Sequence, residues 1–343
     1  MTETPDSMTE RPPASGADVD IVSELLRAIR LSGGVFFRAE FSDPFSIESP
    51  RCEHIAQLLN LGARRVIPFH MIVEGSCVVR IDGADPQILG PGDVGVFLNE
   101  DTHVVASGTA ARPTAIGPLL PKPPYDGVPL ISYGGGGPAT RMICGYLHHE
   151  RAVFNPLFTA LPAMLVTNRA TSDGNLTLPT VLQCIEDEVA GGRPGGACLL
   201  TRLCELMFIQ VLRIYMERMA RSGQGWPAGL QDPFVGQALR LLHSDPSRDW
   251  SMENLCAEVG RSRSALIQRF TSVVGQPPMR YLASWRMQMA AQILLETNIP
   301  VSAVAARVGY CSEVAFNRAF RRKVGAPPGA WRRQSIRTVA ACE

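Results

Sequence analysis

The chain has 343 residues, 45% of them hydrophobic and 19% charged, with a formal net charge of +1. That length accommodates about two domains of ~150 residues, and the balance excludes bulk disorder, a collagen-like repeat and an extended coiled coil. No run of ~18 apolar residues occurs, which excludes a membrane-spanning helix, and nine scattered cysteines with no C-x-x-C pair exclude a disulfide scaffold and point to reduced thiols in the cytoplasm.

Residues 1–17 are polar and Pro/Ser-rich, with Glu3, Asp6 and Glu10 but no apolar stretch of a leader peptide, and are expected to be a disordered tail. Ile21, Val22, Leu25, Leu26 and Ile29 then recur at helical spacing. From Gly33 to about Thr167 short apolar runs alternate with turn signals such as Asp82-Gly83, Pro91-Gly92-Asp93 and Gly134 to Gly137, the texture of a barrel or sandwich. Helical spacing returns at Leu178, Val181, Leu182, Ile185 and Val189, stopped by Gly191-Gly192, and again over Leu199 to Met219. In that last helix Met207, Phe208, Val211 and Leu212 cover much of the circumference, so part of it is expected to bury against a second subunit. Ser222 to Pro233, with three Gly and two Pro, reads as an interdomain linker.

Charge divides unevenly along the chain. From Asp232 onward there are 15 basic and 8 acidic residues, a formal +7; the remainder carries 18 basic and 24 acidic residues, or −6. An acidic sensor joined to a basic nucleic-acid binder has this pattern.

The basic part contains an internal repeat. At an offset of 50, Ser262, Ala265, Leu266, Phe270, Val274, Gly275, Pro277, Pro278 and Tyr281 align with Ser312, Ala315, Phe316, Phe320, Val324, Gly325, Pro327, Pro328 and Trp331. Each copy has one grammar: a short helix, a Gly suited to a left-handed cap (Gly260, Gly309), a turn, and a Ser (Ser262, Ser312) placed to cap a second helix. That is a helix-turn-helix unit. In the second helices, Leu266/Phe270 and Phe316/Phe320 are spaced to face a core. The opposite face then presents Arg263, Ser264, Ile267, Gln268 and Thr271 in copy one and Glu313, Val314, Asn317, Arg318 and Arg321 in copy two. Met279 to Leu295, a long helix between the copies, can hold them at a fixed separation.

Phe234 to Gln334 resembles the DNA-binding domain of the AraC/XylS family of bacterial transcription regulators, most clearly from Val304 through Gly309-Tyr310-Cys311-Ser312 to Phe320 and on to Trp331. Phe69-His70 to Gly75-Ser76, Leu89 to Val94, His103, Gly134 to Gly137 and Cys144-Gly145 are similar to the cupin-type sensory domain of a subgroup of that family. Metal-binding cupins resemble one another in an H-x-H…E motif and a P-x-G-x-x-H motif. Here Ile72 stands two residues after His70, and Leu98 and Glu100 stand where Pro and Gly are expected before His103, so no metal or other cofactor is expected. His70 and His103 then read either as satisfied buried residues or as part of an effector pocket. Cys52, Cys77 and Cys144, in the same segment, are the candidate redox-sensing thiols.

The expected architecture is α+β: a tail (1–17), a cupin-like sensory barrel (18–170), a helical dimerisation segment (171–221), a linker (222–231) and an all-α domain with two helix-turn-helix units (232–337). The resemblance implies a cytoplasmic, homodimeric regulator without catalytic activity. It binds double-stranded DNA, answers to an unknown small molecule or redox signal and contacts RNA polymerase as an activator, with repression the alternative. Arg318 and Arg263 suit guanine, Asn317 and Gln268 adenine, Glu313 cytosine and Ile267 a thymine methyl. The alternative reading is a metal-dependent cupin enzyme, an oxygenase or isomerase.

Overall fold

The computed structural model describes residues 20–28, 31–58, 65–98, 102–108, 112–121, 127–149, 154–167, 177–222 and 225–333; the expected N-terminal tail lies outside them. The first part runs α1 (Ile21–Arg27), β1 (Ser32–Ser42), β2 (Ser46–Ser49), α2 (Cys52–Leu58), β3 (Arg65–Glu74), β4 (Cys77–Ile81), β5 (Gln87–Leu89), β6 (Val94–Phe97), β7 (His103–Ala106), β8 (Thr114–Ala115), β9 (Leu130–Gly134), β10 (Ala139–His149), α3 (Pro156–Ala160), β11 (Met164–Thr167), α4 (Thr177–Gly191) and α5 (Gly196–Ser222).

Its strands form two sheets, of order β11-β6-β3-β10-β1-β9 and β5-β4-β7-β2-β8. The period-two alternation of the larger sheet creates three layers. Ile67, Phe69 and Met71 of β3, with Ile143 and Leu147 of β10, pack outward against α4 and α5. Ile72, Met142 and Cys144 face inward, toward Val79 and Val105 of the second sheet. Gly145 is needed where the sheet is tightest, because a Cβ there would collide with the Phe69 ring and the Gly34 carbonyl. The glycine run has a comparable cause. Side chains at Gly134, Gly135 or Gly137 would strike the Ser42-Asp43-Pro44 corner that joins β1 to β2. His149 is buried beside Phe158.

The apolar girth of α5 has an explanation within the chain. Met207, Phe208 and Val211 lie in the core shared with the sheet, while Leu212 packs into the core of the following domain. A helix apolar all round is one buried all round, so these four residues do not supply a subunit interface. Leu199 and Leu206, 47% and 38% exposed, are what α5 leaves uncovered. No helix among the described residues is long and apolar enough to cross a membrane.

The second part is helical: α6 (Gly225–Gln231), α7 (Val235–Ser244), α8 (Met252–Val259), α9 (Arg263–Val274), α10 (Pro278–Glu296), α11 (Val301–Arg307) and α12 (Glu313–Val324). Helix α8 opens on a reciprocal cap between Ser251 and Asn254 and stops at Gly260, in the left-handed conformation at φ 69°. Ser312 caps α12 by accepting from the Ala315 N–H at 3.4 Å; Ser262, in the matching position, makes no such bond. Helix α10 serves two cores, giving Tyr281, Leu282 and Trp285 to the first unit and Met287, Ala290, Ala291 and Leu294 to the second.

The expected linker contains α6, and Trp226 is buried in the first unit's core. Gly and Pro suggested a loop there, but a Trp with apolar neighbours folds the segment into the core. Trp226→Ala is expected to destabilise the protein by about 3–5 kcal/mol, the cost of emptying a Trp site. A true linker would register within about 0.5 kcal/mol; urea unfolding followed by tryptophan fluorescence and circular dichroism separates the two.

Candidate nucleic-acid interface and sensor cavity

Helices α9 and α12 each sink two rings or aliphatic groups, Leu266 and Phe270 or Phe316 and Phe320, which turns the other face outward. On α12 that face carries Glu313, Val314, Arg318 and Arg321, all exposed, with Asn317 half-buried beside them. Val314 is 62% exposed, an unusual placement for a large aliphatic residue. On α9, Arg263, Ser264 and Gln268 are exposed, but Ile267 is half-buried against the first unit's core and Thr271 is half-buried too. The period that frees Arg263 and Gln268 carries Ile267 round to the core edge, so it lies off the fully open face expected for it.

The arginines are committed to different degrees. Arg263 pairs with Glu253 at 2.9 Å, both side chains well exposed, so the pair is weak and exchangeable for a phosphate. Arg269 Nε donates to Asp232 at 2.8 Å, and Arg261 stacks 3.5 Å over the Phe234 ring. Lys323 Nζ lies 5.1 Å from the Phe154 ring of the sensory part.

Inside the barrel, the register of β3 against β10 places His70 opposite Cys144. His70 Nδ1 lies 3.0 Å from Cys144 Sγ, and His70 Nε2 lies 2.7 Å from His103 Nε2. The Phe97 ring stacks on His103 at 3.7 Å. Burial holds the His70 imidazole down to about 4, and burial together with His70 holds His103 well below its ordinary value. Both rings are therefore neutral, and one N–H serves the other ring's lone pair.

His70 and Cys144 line an apolar cavity of about 50 Å³ with Phe36, Phe37, Phe41 and Met142. His103 sits behind His70. Burial raises the Cys144 thiol well above its usual range and pushes Cys77 up to about 12. Cys52 is buried apart from them, on α2 against Ile55, Ala56 and Val66. Among the described residues no three His, Cys, Asp or Glu side chains converge as a metal site.

A family model described as a cupin matches residues 20–217, and one described as a helix-turn-helix domain matches residues 255–334. An AraC-like transcription regulator of Streptomyces lividans is 33% identical over 272 residues, covering 79% of this chain and 88% of that protein. The chain belongs to the AraC family of transcription regulators, with an N-terminal cupin domain. A counterpart in Streptomyces antibioticus is 32% identical over 80% of this chain and 89% of that protein. The solved DNA-binding domain of AdpA, in complex with a target DNA, is 30% identical over 30% of this chain and 92% of that one, with a TM-score of 0.29. The chain is a DNA-binding transcription regulator through its helix-turn-helix domain. The enzyme alternative is thereby set aside.

Two further polar clusters escaped the sequence reading. Arg286, half-buried on α10, donates from Nε to the Pro246 carbonyl at 2.7 Å, from Nη2 to the Arg248 carbonyl at 2.7 Å and from Nη1 to the Gly309 carbonyl at 3.3 Å. It thus ties the loop that leads into the first helix-turn-helix unit to the turn within the second. The second cluster joins sensor to reader. His243 Nδ1 lies 2.7 Å from Glu24 Oε2 of α1, and Nε2 lies 2.8 Å from the Tyr281 hydroxyl. Gln288 accepts from the Phe154 N–H and donates to the Ala28 carbonyl, both at 3.0 Å. No sequence period marks such residues, since their partners are backbone groups or side chains 38 to 219 positions away.

The buried imidazoles make stability depend on pH. The fold favours their neutral form, whereas the unfolded chain protonates them near 6.5. Their contribution is complete above that value and is lost as pH falls toward about 4. For His70 alone the loss amounts to about 3 kcal/mol. Urea midpoints at pH 7.5 and 5 are expected to converge in His70→Gln relative to the wild type; an unchanged gap would show that His70 is not held neutral.

Proposed function

We propose that the outward faces of α9 and α12 read base edges in successive major-groove segments, about 34 Å apart on one side of the duplex. The observation that carries this reading is that the side chains of Glu313, Arg318 and Arg321 are exposed and make no ion pair or hydrogen bond among the described residues. In this reading Arg318 forks onto guanine, Asn317 and Gln268 serve adenine, Glu313 accepts from cytosine, and Arg263, Ser264 and Arg321 complete the contact. The exposed Val314 gives α12 the methyl contact that the half-buried Ile267 supplies less readily on α9.

Arg318→Ala is expected to cost about 1–3 kcal/mol on the cognate site and to relax preference at one base position. Selection from random DNA with both proteins measures this, and an unchanged sequence logo removes Arg318 from the readers. Affinity is also expected to fall steeply with added salt as phosphates regain counterions.

The sensory reading is that the barrel cavity holds an uncharged small molecule. No Lys, Arg, Asp or Glu lines it, so a charged ligand would be desolvated without a partner. The raised pKa of Cys77 and Cys144, and the burial of Cys52, support non-covalent binding over oxidation of any of the three. His70, with His103 behind it, forms an uncharged wall whose His70 nitrogens are engaged by Cys144 and His103, which leaves Ser49 and Tyr146 of the lining for polar contact. Exposed Leu199 and Leu206 support a homodimer through α5. Activation through RNA polymerase, in the cytoplasm, follows from the family resemblance.

One preparation tests ligand and dimer together. Light scattering at micromolar concentration is expected to give twice the chain mass, and small uncharged compounds are expected to raise the unfolding temperature where carboxylates do not. A monomer ends the dimer proposal. Equal shifts, or none, end the ligand proposal.

A further inference from the structure

We infer that Arg286 sets the operator spacing the protein accepts, by fixing the second recognition helix relative to the first. The inference rests on the reading that both units dock on one duplex. Arg286 stands on α10 between Trp285, the last residue given to the first core, and Met287, the first given to the second. Two of its three carbonyl partners, Pro246 and Arg248, lie in the loop leading into α8. The third, Gly309, lies in the turn leading into α12.

These turns abut directly. A Cβ on Gly309 would sit 2.5 Å from the Ser247 carbonyl oxygen and 2.9 Å from Arg286 Nη2. Among the described residues, the hydrogen bonds that join the first unit's loop to the second unit's turn run through this one guanidinium. Its planar fork fixes direction as well as distance, which a Lys ammonium on a flexible stem does not.

Three of the five guanidinium N–H donors of Arg286 go to these carbonyls, and the residue acts through the helices it holds; it is a positioning residue. The geometry it holds has a readable consequence. One extra base pair moves the second site by about 3.4 Å along the duplex and rotates it by about 34°. A rigidly coupled pair of helices cannot follow that change, while a loosened pair can follow much of it.

The experiment uses the full chain and the DNA that the wild type selects from a random pool, with one base pair inserted or deleted between the two recognised blocks. Wild type is expected to lose about tenfold in affinity on either change, the scale of a lost base contact. Arg286→Gln is expected to bind the original spacing more weakly but to lose only about threefold or less on altered spacing. Arg286→Lys, which keeps charge and stem, is expected to follow Gln rather than Arg, and it carries the test where Arg286→Gln does not fold by circular dichroism. A variant that weakens on all spacings alike, with the tenfold penalty intact, overturns the inference and leaves Arg286 a stabilising residue only. A wild type indifferent to spacing overturns instead the reading that both units dock together.

Discussion

Helix α10 belongs to two hydrophobic cores at once, and the reader is built on that constraint. Its N-terminal half is covered by the first unit and its C-terminal half by the second, so neither unit can rotate without exposing apolar surface of the helix they share. Each unit then spends its remaining apolar pairs, Leu266/Phe270 and Phe316/Phe320, on turning a second helix outward. The polar faces of α9 and α12 are in this sense the remainder of a packing problem. Residues too hydrophilic for either core end on one side of the molecule.

The sensory half solves a different problem with a period of two. Strands β3 and β10 are covered on both sides, by α4 and α5 outside and by the second sheet inside. A strand covered in this way reads as nearly continuous apolar sequence, and a polar residue within it must find a partner inside the protein. His70 does so twice, through Cys144 and His103. The neutrality of both rings follows from their enclosure, and it keeps charge out of the cavity wall.

Much of this was legible in the residues. The repeat announced two units because Gly, Ser and paired apolar positions recur with the helical grammar that builds each one. Inward placement of Leu266, Phe270, Phe316 and Phe320 followed from spacing alone. Where spacing misled, a long-range packing choice had intervened. Met207, Phe208, Val211 and Leu212 look like a subunit interface until the sheet on one side of α5 and the helical core on the other are known. Trp226 sits among glycines and prolines that suggest a loop, yet its buried area outweighs their local preference. Arg286 and His243 were out of reach for another reason: what they bind is backbone carbonyls or distant side chains, and neither leaves a period in the sequence.

Sensor and reader are separable on paper at Asp232, but their cores are not. Ile21, Leu25, Leu212 and Trp226, all before that point, are buried together with Leu239, Tyr281 and Trp285 after it. Cutting there would leave an apolar hollow facing water and would strip His243 of Glu24. The first helix-turn-helix unit therefore cannot close its core without α1 and the end of α5, whereas the second closes on residues from Met287 onward, tied to the first through α10.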